Sequence, residues 1–205
     1  MTYLREPLLK PVAINDLRPT QMTVGMREVK GKRKELRRRG ASKIRKFLGG
    51  HMIPVVIGRG KTHYVIDHHH LALALHGEGL RDVLVTIVAD LSALPVDEFW
   101  VVLDHRAWVH PYDVDGRRRD FSKIPTSITG LKDDPFRSLA GALRRAGGFA
   151  KDTTPFSEFL WADFFRLRMK HKLVVDDFDK AMKQAMLLAK SQDANYLPGW
   201  CGPVE

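Results

Sequence analysis

A hairpin that leads directly into a helix is the feature that most constrains the fold of this chain. Two apolar, β-rich runs, Ile53–Ile57 and His63–Ile66, flank Gly58-Arg59-Gly60-Lys61, a turn sequence suited to two antiparallel strands. The second run ends at Asp67, and the residues that follow, His68–His76, have helical composition. Because a strand pair and an adjoining helix pack as two layers, we expect a mixed sheet with helices against it.

Apolar periodicity predicts further elements in the N-terminal half. A long helix is predicted from near Val24, capped by Thr23, through the basic residues that follow. Gly40 is expected to break this helix, Ser42 to cap its continuation and Gly49-Gly50 to end it. Short strands are predicted at Val12–Ile14 and Val83–Val88, the second of them buried, and a turn at Leu17–Gln21.

The C-terminal half is predicted to be mainly helical. Helices are expected over residues 95–104, 134–146, 155–170 and 175–190, with a loop from 106 to 134 and a tail packed through Trp200. The order β-α-β-β-α-β-α followed by helices favours an α+β fold, in which a small mixed sheet has flanking helices and a helical C-terminal annex. We divide the chain into a domain at 1–130 and an extension at 131–205 packed on it.

Composition excludes several classes of protein. Hydrophobic residues make up 44% of the chain and charged residues 28%, as in globular rather than disordered proteins. Cys201 is the only cysteine, which excludes an internal disulfide and a cysteine-based zinc site. The longest uncharged apolar run, Val83–Ala89, has the length of a strand, and the N-terminus carries no apolar leader. We therefore expect a cytoplasmic protein with no membrane partner.

The positive charge is concentrated in one predicted helix. The formal net charge is +10, and residues 27–46 hold eleven Lys or Arg against Glu28 and Glu35, a balance of +9. Such a patch attracts polyanions such as nucleic acid or nucleotides, but a solvated helix face has the same composition. The side chains expected to contact an anion are Lys32, Arg33, Arg37, Arg38 and Arg39.

The start of the helix after the hairpin predicts an anion site. Asp67 lies at or near the N-cap, where the first amides of a helix have no partner within the helix. The imidazoles of His68, His69 and His70 can donate hydrogen bonds to phosphate oxygens and titrate near neutral pH. Simple capping by Asp67 is the alternative. A single metal ion is disfavoured, because consecutive helical residues point about 100° apart.

Several segments together resemble one known family. The strand–Asp67–His68–His69–His70–helix segment, with the preceding hairpin and an N-terminal strand–turn–helix, resembles the ParB/sulfiredoxin fold superfamily. Within it, the chain is most similar to the ParB-like nuclease group, over most of residues 10–170. The matching segments are Arg18-Pro19-Thr20-Gln21 with the Val-Gly and Glu that follow, Asp67–His70, Asp134–Ala140 and Phe156–Ala162.

This resemblance implies nucleotide chemistry. Superfamily members include a CTP-hydrolysing DNA clamp, an ATP-dependent reductase of oxidised cysteine and a kinase of free serine. The kinase holds phosphates with an Asp-Gly-His-His-Arg segment, which Asp67 and His69-His70 match, and uses a helix glutamate as base, which Glu28 matches. Leu71 replaces the arginine and His68 the glycine, which argues against a CTP clamp. The motif contains no cysteine, so a sulfiredoxin-type reaction is not expected.

The residues and the resemblance together favour an enzyme that transfers a phosphoryl group to a small-molecule acceptor or hydrolyses a nucleoside triphosphate. ATP, ADP or CTP would bind at Asp67–His70, with Mg²⁺ as a candidate cofactor. The opposite wall is expected to consist of Arg18, Thr20, Gln21 and Glu28, and the catalytic residues to be Glu28, Asp67 and His69.

Two other functions are considered beside this one. The first is a nucleic-acid-binding module that uses the basic helix 27–46. The second is a metal-dependent nuclease, which needs clustered carboxylates. It is disfavoured because Asp67, Asp104, Asp113 and Asp115 come from separate segments.

Glu28 has two interpretations. In the first it is a functional group whose pKa is lowered by its helical neighbours Arg27, Lys30 and Lys32. In the second it is one half of a surface pair with Lys32, which stabilises a helix by only about 0.3–0.5 kcal/mol.

The segment 104–116 also has two interpretations. It is rich in acids, imidazoles and aromatic residues and is predicted to be a loop, where functional residues are common. It either supplies contacts to Mg²⁺ or substrate, or is an ordinary turn around buried Trp108 and Tyr112.

Overall fold

The computed structural model describes residues 11–203, and of residues 40–46 only the backbone. Its strands are β1 (Pro11–Ala13), β2 (Leu17–Pro19), β3 (Thr23–Val24), β4 (Ile53–Ile57), β5 (His63–Val65), β6 (Asp82–Asp90) and β7 (Lys132–Asp133). Its α-helices are α1 (Met26–Gly49), α2 (His69–Gly77), α3 (Val96–His105), α4 (Pro135–Arg145), α5 (Ser157–Arg166), α6 (His171–Asp176) and α7 (Phe178–Lys190). No helix in the described range is long and apolar enough to cross a membrane.

A five-stranded mixed sheet lies in the N-terminal part, in the order β1-β6-β4-β5-β2. β4 and β5 form the predicted antiparallel hairpin, with Val56 opposite Tyr64. β4 and β6 pair in parallel, as do β5 and β2, whereas β1 runs antiparallel to β6. A separate two-stranded parallel ladder joins β3 to β7. The sheet and its helices confirm the predicted α+β fold class.

The segment predicted as a turn at Leu17–Gln21 begins with an edge strand. β2 pairs in parallel with β5, where Leu17 lies opposite His63 and is fully buried. Pro19 has no amide hydrogen to donate, which the edge of a sheet tolerates. The turn prediction was wrong because the burial of Leu17 and the pairing with the hairpin outweigh local turn chemistry.

β6 extends beyond the predicted strand and is not buried along its whole length. β1 pairs with it only over Asp82–Leu84, so the second half of β6 has a neighbour on one side only. Ile87 is 57% exposed and Val88 45% exposed, which corrects the prediction of a buried strand.

α1 is a single helix of 24 residues, so the predicted break at Gly40 and the new cap at Ser42 are wrong. One glycine inside a helix costs only about 1 kcal/mol relative to alanine. Leu36 before it is buried and Phe47 after it is half-buried, and both pack against the same core. These contacts on both sides of Gly40 keep the helix continuous.

The start of α1 also differs from the prediction, because Thr23 belongs to β3 and the N-cap is Gly25. Acceptors on other elements replace the predicted side-chain cap. The amides of residues 25, 26 and 27 donate to His70 Nε2 at 2.9 Å, Asp133 Oδ1 at 2.9 Å and Ser138 Oγ at 3.2 Å. A Cβ at Gly25 would lie 2.9 Å from the backbone nitrogen of Ser138, so the close approach of α1 to α4 requires glycine.

The C-terminal helices follow the prediction with changed ends. Asp134 caps α4 by accepting the amides of Phe136 and Arg137, as the Asp-Pro pair suggested. α5 ends at Arg166, not at residue 170. The helix predicted over 175–190 is two helices, because Asp177 ends α6 and caps α7. Trp200 packs against these helices, which confirms the predicted contact of the tail.

Two main cores lie on either side of residue 131. The first packs the sheet against α1 and α2, with members between Ile14 and Leu131. The second lies among α4 to α7, with members between Phe136 and Leu197. A smaller cluster around Phe99 packs α3 against the hairpin. The division into a domain and an extension stays a prediction.

Candidate functional site

The candidate site is built around the start of α2, where the chain leaves β5. His68 is the N-cap of α2 and has a φ of +65°, a left-handed conformation that glycine adopts most easily. Asp67 precedes the cap, is 76% exposed, and accepts the amide hydrogen of His68 at 2.6 Å. No side chain caps α2, and its first-turn amides donate to no described acceptor. The positive end of the helix is therefore available to an anion.

His69 is buried and holds the strand beside it. Its Nε2 atom accepts the backbone amide hydrogen of Thr20 at 3.2 Å, and the hydroxyl of Thr20 donates to the carbonyl of Val65 at 2.8 Å. Burial lowers the pKa of His69 to about 3, despite the opposing charge of Asp67. The neutral ring thus fastens the end of β2 to β5, and its Nε2 atom has a partner other than the expected phosphate.

His70 places the start of α1 in the same way. Its Nε2 atom accepts the amide hydrogen of Gly25 at 2.9 Å. Burial, with a further contribution from the positive charge of Arg137, lowers the pKa of His70 well below its usual value. The ring also lies 3.8 Å from the Glu28 carboxylate. The neutral imidazole therefore sets Glu28 beside the start of α2.

Glu28 is a carboxylate surrounded by cations at more than hydrogen-bond distance. Its Oε2 atom lies 3.5 Å from Nη1 of Arg137 and 3.8 Å from Nη1 of Arg145. Its Oε1 atom lies 3.6 Å from Nζ of Lys32. The carboxylate accepts no hydrogen bond from a described residue, so its lone pairs are free to accept one from a ligand.

Arg137 of α4 links Glu28 to a second carboxylate. Its Nη2 atom pairs with Glu158 at the start of α5, which also pairs with Arg144. Arg137 is 8% exposed, yet its Nε and Nη1 atoms have no hydrogen-bond partner within the described residues. Gly141 leaves room for the guanidinium, because a Cβ there would lie 2.9 Å from Nη1. Buried donors are normally satisfied, so these atoms indicate an acceptor that the protein does not itself supply.

Sequence reasoning missed this contribution of the C-terminal helices. Arg137 and Glu158 lie in the segments Asp134–Ala140 and Phe156–Ala162, whose resemblance to the family was the available signal. Arg145 carried no signal beyond its charge. Nothing in local periodicity relates these residues to Glu28, because the contact depends on how α4 packs against α1.

Two cavities meet at the start of α2, and Asp67, His70 and Arg137 line both. The α1–α2 cavity has a volume of about 310 Å³, and its other lining residues are Glu28, Lys32, Glu35, Leu36, Arg39, Phe47, His51, His68 and Leu71. The α2–α5 cavity has a volume of about 170 Å³, and its other lining residues are Gln21, Ile66, His69, Phe156, Ser157, Glu158 and Phe159.

The structure brings only part of the predicted opposite wall to these cavities. Gln21 lines the α2–α5 cavity and donates to the carbonyl of Thr23 at 2.7 Å. Thr20 is 1% exposed and acts through its hydrogen bond with His69. Arg18 lines a different cavity, next to Pro11 at the β1 end of the chain.

The basic residues of α1 are divided between its two sides. Lys32 pairs with Glu28, Arg39 with Glu35, and both Arg33 and Arg37 with Glu78 of the loop after α2. Arg38 is exposed and has no ion pair with a described acid. Of the five predicted anion contacts, Lys32 and Arg39 line the α1–α2 cavity. Arg27, a predicted neighbour of Glu28, lies instead over the ring of Phe178 in α7.

Asp104 and His105 are the last residues of α3, and the rest of the 104–116 segment is a loop, as predicted. The acids of this segment are engaged in different ways. Asp113 accepts the amides of Asp115 and Arg117, both at 3.0 Å, and pairs with Arg119. Asp104 pairs with Arg118. Trp108 and Tyr112 are half-buried. Within residues 11–203, no group of three or more His, Cys, Asp or Glu side chains is arranged to hold a metal ion.

The fold and the site together define a class of protein. A small mixed sheet, with a helix starting at an Asp-X-His-His segment beside the glutamate of a long helix, is the ParB/sulfiredoxin-like fold. The sequence model of the family described as "Putative ParB-like nuclease" matches residues 10–167. The chain belongs to this family, which confirms the resemblance. The matched range runs through α5 and therefore covers Arg137 and Glu158 of this chain.

A solved structure has the same fold over nearly the whole chain. The crystal structure of protein Atu1540 from Agrobacterium tumefaciens shares 54% sequence identity with this chain, and the TM-score is 0.89. The comparison covers 97% of this chain and 100% of that one. A comparison with curated proteins gave no match.

Proposed function

We propose that this protein binds the phosphates of a nucleotide at the start of α2 and transfers the terminal phosphoryl group to a small-molecule acceptor or to water. The observation that carries the proposal is Arg137. It is buried between two cavities that meet at an uncapped helix start, and its Nε and Nη1 atoms have no partner within the described residues. A phosphate oxygen is an acceptor that suits both the guanidinium and the helix amides.

The chemistry assigned to Glu28 follows from its surroundings. In the proposed reaction the acceptor oxygen bonds to the terminal phosphorus, while Glu28 takes the proton of the acceptor. The bridging P–O bond breaks, and its electron pair leaves with the nucleoside diphosphate. Lys32, Arg137 and Arg145 lie around the carboxylate and neutralise charge as it develops on the phosphoryl oxygens.

The remaining predicted residues take different roles in this proposal. His69 and His70 are positioning residues, since their Nε2 atoms hold the backbone of Thr20 and Gly25. Asp67 is the exposed carboxylate beside the phosphate position. Mg²⁺, when it accompanies the nucleotide, supplies charge neutralisation at the phosphates, and Asp67 is a carboxylate within the site that suits it.

A second candidate function is nucleic-acid binding through the outer side of α1. Lys30, Lys34 and Arg38 are exposed, lie four residues apart on one helix face, and pair with no described acid. This stripe lies outside both cavities and suits contact with a phosphate backbone without base recognition.

The proposed function is tested by the thermal stability and calorimetry of the full chain with ATP, ADP, CTP, GTP or inorganic tripolyphosphate, each with and without Mg²⁺. A ligand at about 100 times its dissociation constant adds about 2.7 kcal/mol, which raises the melting temperature by several degrees. The Lys32→Gln variant removes a cation of the α1–α2 cavity, and Lys34→Gln is the matched control on the outer side of the same helix.

We expect Lys32→Gln to weaken nucleotide binding about tenfold, as for the loss of one charge-assisted contact. Lys34→Gln should leave the affinity unchanged. The proposal fails if no phosphate ligand binds, or if the two variants lose affinity equally.

A further inference from the structure

A third cavity adjoins the α2–α5 cavity, with which it shares Phe156 and Phe159. We call it the aromatic cavity. Its volume is about 280 Å³, and it lies between the 104–116 segment and α5. The proposed phosphate chemistry makes no use of it.

Flat rings form one wall of the aromatic cavity. The ring of His110 stacks on Tyr112, with centroids 4.5 Å apart and planes at 22°. The same ring lies 4.0 Å from Phe159 and 4.8 Å from Phe156. Aromatic side chains grouped in this way offer π-faces on which a planar ligand can stack.

His110 gives this wall a polar group that the protein leaves unused. The residue is 8% exposed, and burial lowers the pKa of its ring to about 3. The imidazole is therefore neutral, with one N–H donor and one acceptor nitrogen. Neither nitrogen forms a hydrogen bond with a residue in the 11–203 range. These nitrogens are not among the fully buried side-chain atoms that lack a partner, so they remain accessible and can bond to a ligand in the cavity.

Two carboxylates complete the polar character of the cavity. Asp104 at the end of α3 and Asp163 in α5 both line the cavity. Each pairs with an arginine, Arg118 and Arg166, and retains further acceptor capacity. Acceptors of this kind match the exocyclic amino groups of adenine, cytosine and guanine.

From these observations we infer that the aromatic cavity binds the base of the nucleotide whose phosphates lie at the start of α2, and that it prefers a base with an exocyclic amino group. The inference rests on the proposed function for the phosphate position. The two positions are neighbours: Phe156 and Phe159 line both the aromatic cavity and the α2–α5 cavity, and Arg137 and Asp67 line the α2–α5 cavity as well. A ligand with a planar ring at one end and phosphates at the other matches this order of an aromatic cavity followed by a phosphate position.

Backbone conformation at the cavity agrees with a functional role. Ala107 has a φ of +51° and Phe156 a φ of +57°, and both line the aromatic cavity. Non-glycine residues in this region are strained and persist where the surrounding structure holds them, which is common at ligand sites.

The test uses nucleosides, which carry no phosphate. Saturation-transfer NMR on the full chain detects contact with adenosine, cytidine, guanosine and uridine, while calorimetry measures inorganic tripolyphosphate and the nucleotides. Leu160 lines the cavity and is 44% exposed, so Leu160→Arg fills the cavity from a position that tolerates a long side chain. Leu187→Arg is the matched control, because Leu187 is 76% exposed on α7.

We expect contact with amino-bearing nucleosides, loss of that contact in Leu160→Arg, and no change in Leu187→Arg. The preferred nucleotide should bind about 10- to 100-fold more tightly than tripolyphosphate, from stacking of the base. Tyr112→Leu should reduce the difference in affinity between the preferred nucleotide and tripolyphosphate. Tyr196→Leu is its control, because Tyr196 is exposed, and it should leave that difference unchanged. Both variants should stay folded.

The outcomes separate the two proposals. Tripolyphosphate binding without nucleoside contact overturns the base site and leaves the phosphate site standing. Nucleoside contact without tripolyphosphate binding overturns the phosphate site and leaves the base site standing. Nucleoside contact that persists undiminished in Leu160→Arg places the base elsewhere and overturns the inference.

Discussion

Consecutive histidines have unlike roles in this protein, although the sequence gives them the same chemistry. His68 has an exposed side chain on a left-handed backbone, whereas His69 and His70 are buried acceptors of backbone hydrogen bonds. Sequence alone could place the three at a helix start, because the strand before them and the apolar residues after them are local signals. It could not assign their partners, because Thr20 and Gly25 reach them only through the fold.

Buried neutral histidines predict sensitivity to acid. The pKa values of His69 and His110 are lowered to about 3, below the ordinary 6.5, and that of His70 is lowered as well. Below about pH 6.5 the unfolded chain binds protons that the folded chain does not, so stability is present above that pH and is lost as the pH falls toward 3. His69 and His110 should each contribute a loss of about 2 kcal/mol by pH 5, and His70 a loss of the same sign.

Urea denaturation between pH 7.5 and pH 5 measures this loss. His110→Phe keeps a flat ring in the aromatic cluster and should reduce the proton uptake on unfolding by about one. His105→Gln, at an exposed position, is the control variant. A free energy of unfolding that hardly varies over this range would show that the rings are not buried in neutral form.

Because the Glu28 carboxylate accepts no hydrogen bond from the described chain, we expect its substitution to affect turnover and nucleotide binding differently. Glu28→Gln removes the proposed base and should lower turnover about 100-fold or more, while nucleotide affinity is kept or increased because a negative charge is lost near the phosphates. Glu35→Gln is the control, since Glu35 lines the same cavity but pairs with Arg39. Steady-state kinetics and calorimetry on both variants check this. Equal turnover in the two variants would remove Glu28 from the reaction.

At the scale of elements, α1 has two sides with different surroundings. One side faces α2, where Arg33 and Arg37 hold Glu78, and where Lys32 and Glu28 reach the α1–α2 cavity. The other side faces solvent. The sequence predicted one basic element and its approximate start, but it could not separate the paired from the unpaired cations. Arg33 and Arg37 are paired because Glu78, which follows α2, lies beside them in the fold.

The second candidate function makes a prediction that distinguishes these two sides. Binding to a short DNA duplex should fall with salt, and each phosphate contact contributes about 0.9 to the slope of log K against log salt. Lys34→Gln/Arg38→Gln should reduce the slope by about 1.8. The double variant Arg33→Gln/Arg37→Gln should change the slope little, because both of these arginines already pair with Glu78 of the same chain. Equal changes measured by fluorescence anisotropy would refute the assignment of the outer face.

At the scale of the whole molecule, the candidate site joins the two main cores. Glu28 belongs to α1, against the sheet, whereas Arg137 and Glu158 belong to α4 and α5 of the helical part. The hairpin, α2 and the capped start of α4 were predictable because their signals are local. The sheet order, β2, the continuity of α1 and the Glu28–Arg137 contact were not, because they depend on packing between distant segments.

This arrangement predicts that Arg137 stabilises the whole molecule. Arg137→Met leaves Glu28 and Glu158 without their shared partner, and removal of one member of a buried pair costs about 3–5 kcal/mol. Arg144→Met is the matched control on the same helix, because Arg144 also pairs with Glu158 but is 29% exposed, where a pair contributes at most about 1 kcal/mol. We expect one cooperative urea transition in the native chain, at a lower midpoint in Arg137→Met. Equal losses in the two variants, or a native transition already split in two, would show that the cores unfold independently of this link.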